Sequence, residues 1–184
     1  ESPKIANAVT VKVNLQPGED TAGGNDSPAD GISASVAYDA AGLYLALAMD
    51  SGVSNGAFSD ASNRDAMRLV ATYTMDTLQL GAMLQTAENS DDLLAGGQAD
   101  EEGLLVSAAL TMGKNVLKGQ VAMNNVDYGG GFEDDLTFIG VGVDHNFTSK
   151  TKAFAFYTRR EEDKLAANGD SDDAAIAVGL EHNF

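Results

Sequence analysis

Apolar side chains recur at every second position through ten separate stretches of this chain, and the stretches are joined by connections that alternate between long and short. A period of two belongs to the β-strand, in which successive side chains point to opposite faces. Val9, Val11 and Val13 alternate with Thr10, Lys12 and Asn14, which predicts a first strand over Ala6–Leu15. The same pattern predicts Ile32–Tyr38, a strand carrying Leu43, Leu45, Leu47 and Met49, and another carrying Met67, Leu69, Ala71 and Tyr73. It continues with Leu78, Leu80, Ala82 and Leu84, with Leu104, Val106, Ala108 and Leu110, and with Leu117, Gly119, Val121 and Met123. Leu136–Phe147, Lys152–Arg160 and a terminal strand with Ile176, Val178, Leu180 and Phe184 complete the set. In the ninth strand Phe154 and Phe156 are expected on one face and Tyr157 and Arg159 on the other.

The connections carry as much information as the strands. Polar, turn-rich segments at about Gln16–Gly31, Asp50–Arg64, Ala87–Glu102, Asn124–Asp135 and Glu161–Ser171 alternate with tight turns at Asp39–Gly42, Met75–Asp76, Gly113–Lys114 and Thr148–Lys150. Soluble sandwiches vary their loops without such regularity. Transmembrane barrels place long loops on the outside and short turns in the periplasm. The fold class expected is therefore all-β, an antiparallel up-and-down transmembrane β-barrel with ten strands present.

Composition is compatible with that reading. Apolar residues make up 43% of 184, yet no run reaches the ~18–20 needed by a membrane helix, whereas a barrel strand needs only ~9–11 with half of them polar. A net charge of −17 argues against nucleic acid as a partner. With no cysteine there is neither a disulfide nor a thiolate metal site. The first residues, ESPKIANAV, hold no basic segment followed by an apolar one, so the expectation is a removed leader or a start within a longer protein.

A last strand closing on Phe184 resembles the C-terminal signature of bacterial outer-membrane barrels, with His182 where many members carry Tyr. The chain as a whole resembles the trimeric general-diffusion porins of Gram-negative bacteria, which are sixteen-stranded. SPKIANAVTVKVNLQPGED is similar to their mid-barrel segment, with Ser-Pro before a strand and Pro-Gly-Glu-Asp after it. DGISASVAYDAAGLYLALAM resembles the hairpin that follows. FTSKTKAFAFYTRRE resembles the Leu-Ser-Lys-Arg-Thr turn before the penultimate strand, with Phe147 for Leu and one extra residue at Thr148. VGLEHNF resembles the family's ending. The family's earlier strands and pore-constricting third loop have no counterpart. The resemblance therefore implies that residues 1–184 are a single porin barrel portion, the last ten strands of a larger wall.

The resemblance implies an outer-membrane channel for passive diffusion of ions and small hydrophilic solutes, working as a homotrimer in contact with outer-membrane lipid and lipopolysaccharide. It implies delivery by the barrel-assembly machinery, which would read Phe184 as the assembly signal. With Leu, Val and Ile toward lipid, the opposite parity gives pore-lining candidates Lys12, Arg68, Gln79, Gln85, Lys118, Gln120, Asp144, Arg159 and Glu181. An acidic extracellular mouth is expected from Asp91, Asp92, Asp100, Glu101, Glu102, Glu133, Asp134, Asp135, Glu161, Glu162 and Asp163. Carboxylates at a mouth enrich cations and discourage anions, so a cation preference is expected. They are also expected to hold Ca²⁺ or Mg²⁺ loosely, with no specific metal site and no other cofactor; the nearest approach to a cation loop is Asn168–Asp173. The alternative is a self-contained ten-stranded adhesin or receptor acting through the same loops. Catalysis is not expected. The only histidines, His145 and His182, fall at the periplasmic ends of their strands, and no nucleophile elbow, zinc motif or phosphate loop is present.

Overall fold

The computed structural model describes residues 1–18, 27–54, 63–89, 100–129, 131–164 and 169–183. Asp91, Asp92, Asn168 and Phe184, all singled out above, lie outside them. Among the described residues ten strands follow one another in a single antiparallel sheet whose spatial order is their chain order. They are β1 (Val9–Gln16), β2 (Gly31–Ala40), β3 (Leu43–Ser54), β4 (Asn63–Met75) and β5 (Leu78–Asn89), then β6 (Asp100–Met112), β7 (Asn115–Asp127), β8 (Glu133–Asn146), β9 (Thr151–Lys164) and β10 (Ser171–His182).

Each predicted strand is present, and most run further than the apolar alternation. β3 continues to Ser54, β4 starts at Asn63, and β6 starts at Asp100, ahead of its first apolar residue. The backbone ladder needs only N–H and C=O groups, so pairing persists beyond the stretch that must meet hydrocarbon. β1 instead begins later than Ala6. Ala6 and Asn7 take positive φ, Ile5 bridges Val9, and Ser2 N donates to Val11 O at 2.8 Å, so the first residues fold back along the edge of β1. β3 carries a bulge between Asp50 and Val53, where Gly52 has φ +62 and its N–H donates to Asp65 Oδ1 at 2.7 Å.

The short turns have the chemistry that hairpins require. Ala41 and Gly42 both take positive φ, the pattern of a type I′ turn, whose twist matches that of the strands. Asp76 and Gly113 supply positive φ at the first position of the next two turns. At the fourth, Thr148 Oγ1 accepts from Lys150 N and Thr151 N at 3.1 and 3.0 Å. Ala40 and Leu43 close the first of these hairpins, and Leu43 lies opposite Tyr73. Met75 and Leu78, two residues further, close the second, and Leu78 lies opposite Leu110. Met112 and Asn115 close the third, again two residues further. The rim thus advances by two residues for every two strands. With ~3.4 Å per residue and ~4.8 Å per strand, turns that share one membrane plane tilt the strands by ~35°, the inclination of outer-membrane barrels.

The sheet has, among the described residues, no second layer to hide an apolar core. Among the described residues Ala87 is the one buried hydrophobic residue, while Ile176, Val178 and Leu180 are 78%, 77% and 68% exposed. The registers show where the exposed apolar residues lie. Val13, Val36, Leu47, Leu69, Leu84, Val106, Val121, Val141, Tyr157 and Ile176 fall on one face, and among the exposed large hydrophobics within strands only Tyr44 and Phe156 are on the other. On β6 the apolar row from Leu104 to Met112 is ~27 Å long, or ~22 Å at a ~35° tilt, close to the apolar band of an outer-membrane barrel. Such a face has no place in water, and it matches lipid.

Candidate functional site

The face opposite the apolar belt is the candidate site. Pairing carries it across the sheet from Lys12 through Ser35, Ala48, Arg68, Gln85, Gly103, Asn124, Leu136, Glu162 and Ser171. Gln79, Lys118, Gln120, Asp144 and Glu181 share this face. Eight of the nine residues expected on the pore wall are therefore on the polar face.

Arg159 is the correction. Its register partners are Ile139 and Ala174, which puts it on the apolar face directly beyond Tyr157. Its Nε and Nη2 donate to Asp172 Oδ1 and Oδ2 at 2.9 and 2.7 Å, and Glu161 lies 3.5 Å away. This is a guanidinium held at the loop-side margin of the belt. β9 carries aromatics on both parities, so hydrophobicity alone cannot orient it. The neighbouring strands do. Phe138, Phe154 and Phe156 stand on the polar face beside Gly140, Gly142 and Gly179; a Cβ added at Gly179 would run into the Phe154 ring, and one at Gly140 or Gly142 would crowd Phe138 or Phe156. Phe154 and Phe156 stack with ring centroids 6.1 Å apart.

On β1 Lys12 pairs with Glu1 at 3.3 Å, and from β4 to β10 the charges on the polar face form two groups. Toward the long loops Arg64 reaches Glu101, Arg68 donates to Gln85 Oε1 through Nε at 2.8 Å, and Gln85 Nε2 donates to Glu101 Oε1 at 3.2 Å. Arg160 and Lys164 each approach Glu162 at 3.0 Å. Toward the short turns a ladder crosses four strands. Lys118 Nζ lies 2.7 and 2.8 Å from the two carboxylate oxygens of Asp144, Lys152 Nζ lies 3.8 Å from Asp144, and it lies 3.2 Å from Glu181. Between the groups lies an uncharged band of Thr72, Gly81, Ser107, Gln120, Gly140 and Thr158, which with Phe138 and Phe156 lines a shallow hollow.

Nine of the expected mouth acids can be placed, and they stand on strand ends beside the loops. Because strands alternate, they divide between faces. Glu101, Asp134 and Glu162 share the polar face, while Asp100, Glu102, Glu133, Asp135, Glu161 and Asp163 share the apolar one, beyond the belt. Beside them in the 127–133 loop, partial burial and then the charge of Asp134, 3.3 Å away, push the Tyr128 hydroxyl above its ordinary range. Among the described residues no group of three or more His, Asp or Glu side chains gathers around a point that could hold a metal. His145 Nδ1 meets Asn115 Oδ1 and His182 Nδ1 meets Thr151 Oγ1, both at 2.8 Å and both at the short-turn end.

Arg64, Lys152 and Arg160 escaped the sequence reading. Arg64 precedes the apolar window of its strand, and Lys152 and Arg160 depend on the orientation of β9. The signal for Lys152 was its shared parity with Phe154, once that parity is known.

A one-layer antiparallel meander with a lipid-type belt on one face and charged, hydrogen-bonded side chains on the other is the wall of an outer-membrane β-barrel. The family model of the Gram-negative porins matches residues 1–165. The chain belongs to that family, whose place is the bacterial outer membrane. Two solved structures similar to it are mutant forms of the Rhodobacter blastica porin, each 14% identical, with TM-scores of 0.32 and 0.33 and 84% of this chain covered. The match covers 56% of those chains' own length. The comparison with curated proteins finds no match.

Proposed function

We propose that this chain forms part of the wall of an aqueous channel through which ions and small hydrophilic solutes diffuse passively and unchanged. The observation that carries this reading is the division of one sheet into a lipid-type face and a charged face. Backbone groups in hydrocarbon must all be paired, so the sheet has to close, and closing it with the belt outward encloses the polar face. We propose further strands between the edges of β1 and β10, assembly as a homotrimer, contact with lipopolysaccharide, and Phe184 as the signal to the assembly machinery. Divalent cations act as loose counter-ions between the outward acids and lipid phosphates.

Spin labels test the topology. Leu43, Leu45, Leu47, Leu78, Leu80, Leu84, Val106, Val121 and Val141 are expected to be accessible to lipid-soluble oxygen and shielded from a water-soluble quencher. Labels at Gln79, Ser107 and Gln120 should behave oppositely, and the reverse result at most sites defeats the reading.

The channel is expected to prefer cations, most strongly at low salt, because the Debye length falls from ~30 Å at 0.01 M to ~3 Å at 1 M. The faces sharpen this prediction to single residues. Glu101→Gln leaves Arg64 uncompensated on the polar face, whereas Glu102 belongs to the outward face. Reversal potentials across a KCl gradient should show the cation preference falling about two- to threefold for Glu101→Gln and scarcely moving for Glu102→Gln. Equal effects, or anion preference in the unmodified protein, count against it.

A further inference from the structure

We propose that Asp144 is a specificity-determining residue at the short-turn end of the wall, where its carboxylate keeps Lys118 and Lys152 electrically compensated. This rests on the channel reading above. Asp144 is 8% exposed, while Lys118 and Lys152 remain open to solvent on the polar face. Its register neighbours are Val116 on one side and Phe154 on the other, so it sits in an apolar notch between two strands. A carboxylate there loses water, and the two ammonium groups replace it, one through both oxygens at 2.7 and 2.8 Å and one at 3.8 Å. Lys152 also leans on Glu181 at 3.2 Å, which gives the sequence Lys118, Asp144, Lys152, Glu181 across β7 to β10. Two positive and two negative charges cancel. Removing only the central acid leaves two lysines against one carboxylate, and the exposed members of the ladder are then the bases.

The charge change acts where the ion passes. One uncompensated unit charge felt through water from about 7 Å lowers the local cation concentration and raises that of anions by about threefold each, and because only one mouth is affected the permeability ratio moves by less than the product. Because the ladder lies at one end of the strands, the effect belongs to one mouth of the channel.

The test is reversal potential of the intact porin in planar bilayers, with the dilute KCl solution placed on either side in turn. Asp144→Asn should lower the cation-to-anion permeability ratio about threefold at low salt, more when the dilute side faces the short turns, and the shift should vanish near 1 M. Asp144→Glu should retain the original ratio, and adding Lys118→Gln alone to Asp144→Asn should restore it, because Lys152 and Glu181 then cancel. If Asp144→Asn does not assemble, the double variant Lys118→Gln, Lys152→Gln decides, because it leaves Asp144 and Glu181 uncompensated and should shift the ratio toward cations. A conducting, folded Asp144→Asn channel with an unmoved ratio, or a double variant that shows no shift, overturns the inference and leaves the channel reading standing. An unmodified protein that inserts and passes no current defeats the channel reading itself.

Discussion

Ala108→Lys is expected to destabilise the folded protein in a bilayer by about 2–4 kcal/mol, while Ser107→Lys, one residue before it on β6, should cost little. Ala108 lies at the middle of the apolar row from Leu104 to Met112, paired with Leu80 and Gly119. An ammonium there has no water and no acid within the belt, and its stem is too far from either interface for the charge to escape cheaply. Ser107 has the opposite parity, between Gly81 and Gln120, and a lysine there joins the wet wall. Denaturant unfolding from lipid vesicles measures the difference. Equal destabilisation by the two lysines would refute the assignment of the faces, because a one-residue step reverses the environment only in a two-sided strand.

The second large effect concerns the rim. Gly42→Val is expected to cost about 2–4 kcal/mol, from two separate causes. Gly42 has φ +79, a conformation that a β-branched residue resists, and a Cβ there would come 2.7 Å from the carbonyl oxygen of Thr74. That oxygen is backbone and cannot rotate away, and Thr74 N is itself bound to Gly42 O at 2.8 Å. Gly113→Val separates the causes. Gly113 has φ +60, but a Cβ there would meet nothing within 4 Å, so only the conformational cost of about 1–2 kcal/mol should be paid. Refolding yields and unfolding midpoints in vesicles should therefore rank Gly42→Val below Gly113→Val. Identical losses would show that the approach of the two strands at Thr74 is not tight.

Much of this wall is legible in the sequence because lipid imposes a single rule on alternate residues. Leu43, Leu45 and Leu47 declare their face without any partner. So do Leu78, Leu80 and Leu84. The tight turns are equally local, as Ala41–Gly42 and Gly113–Lys114 show. The sequence is silent where an environment is assembled from several strands. Phe154 and Phe156 belong to the polar face because Gly142 and Gly179 vacate room beside them, a fact about three strands at once. Arg159 follows from that placement and could not be located before it. Sequence alone puts the acids in the loops because apolar alternation stops short of Glu102 and Asp135, yet the ladder of backbone hydrogen bonds continues past both. Once they are in strands, parity sends neighbouring carboxylates to opposite sides. By parity alone Asp144 is one more wall charge. Its hold on Lys118 and Lys152 requires the register of β7, β8 and β9.

The regular advance of the short turns also turns electrical conductance into a count of strands. At ~4.8 Å per strand and a ~35° tilt, ten strands joined end to end would make a cylinder ~19 Å across between backbones, and sixteen would make one ~30 Å across. Side chains take ~5 Å from each wall, half the spacing of packed sheets. The smaller cylinder keeps a bore of ~9 Å before long groups such as Arg68, Lys118 and Phe156 reach inward, and they would nearly plug it. The larger keeps ~20 Å, wide enough for hydrated ions and small sugars to pass in file with water, until some other segment narrows it.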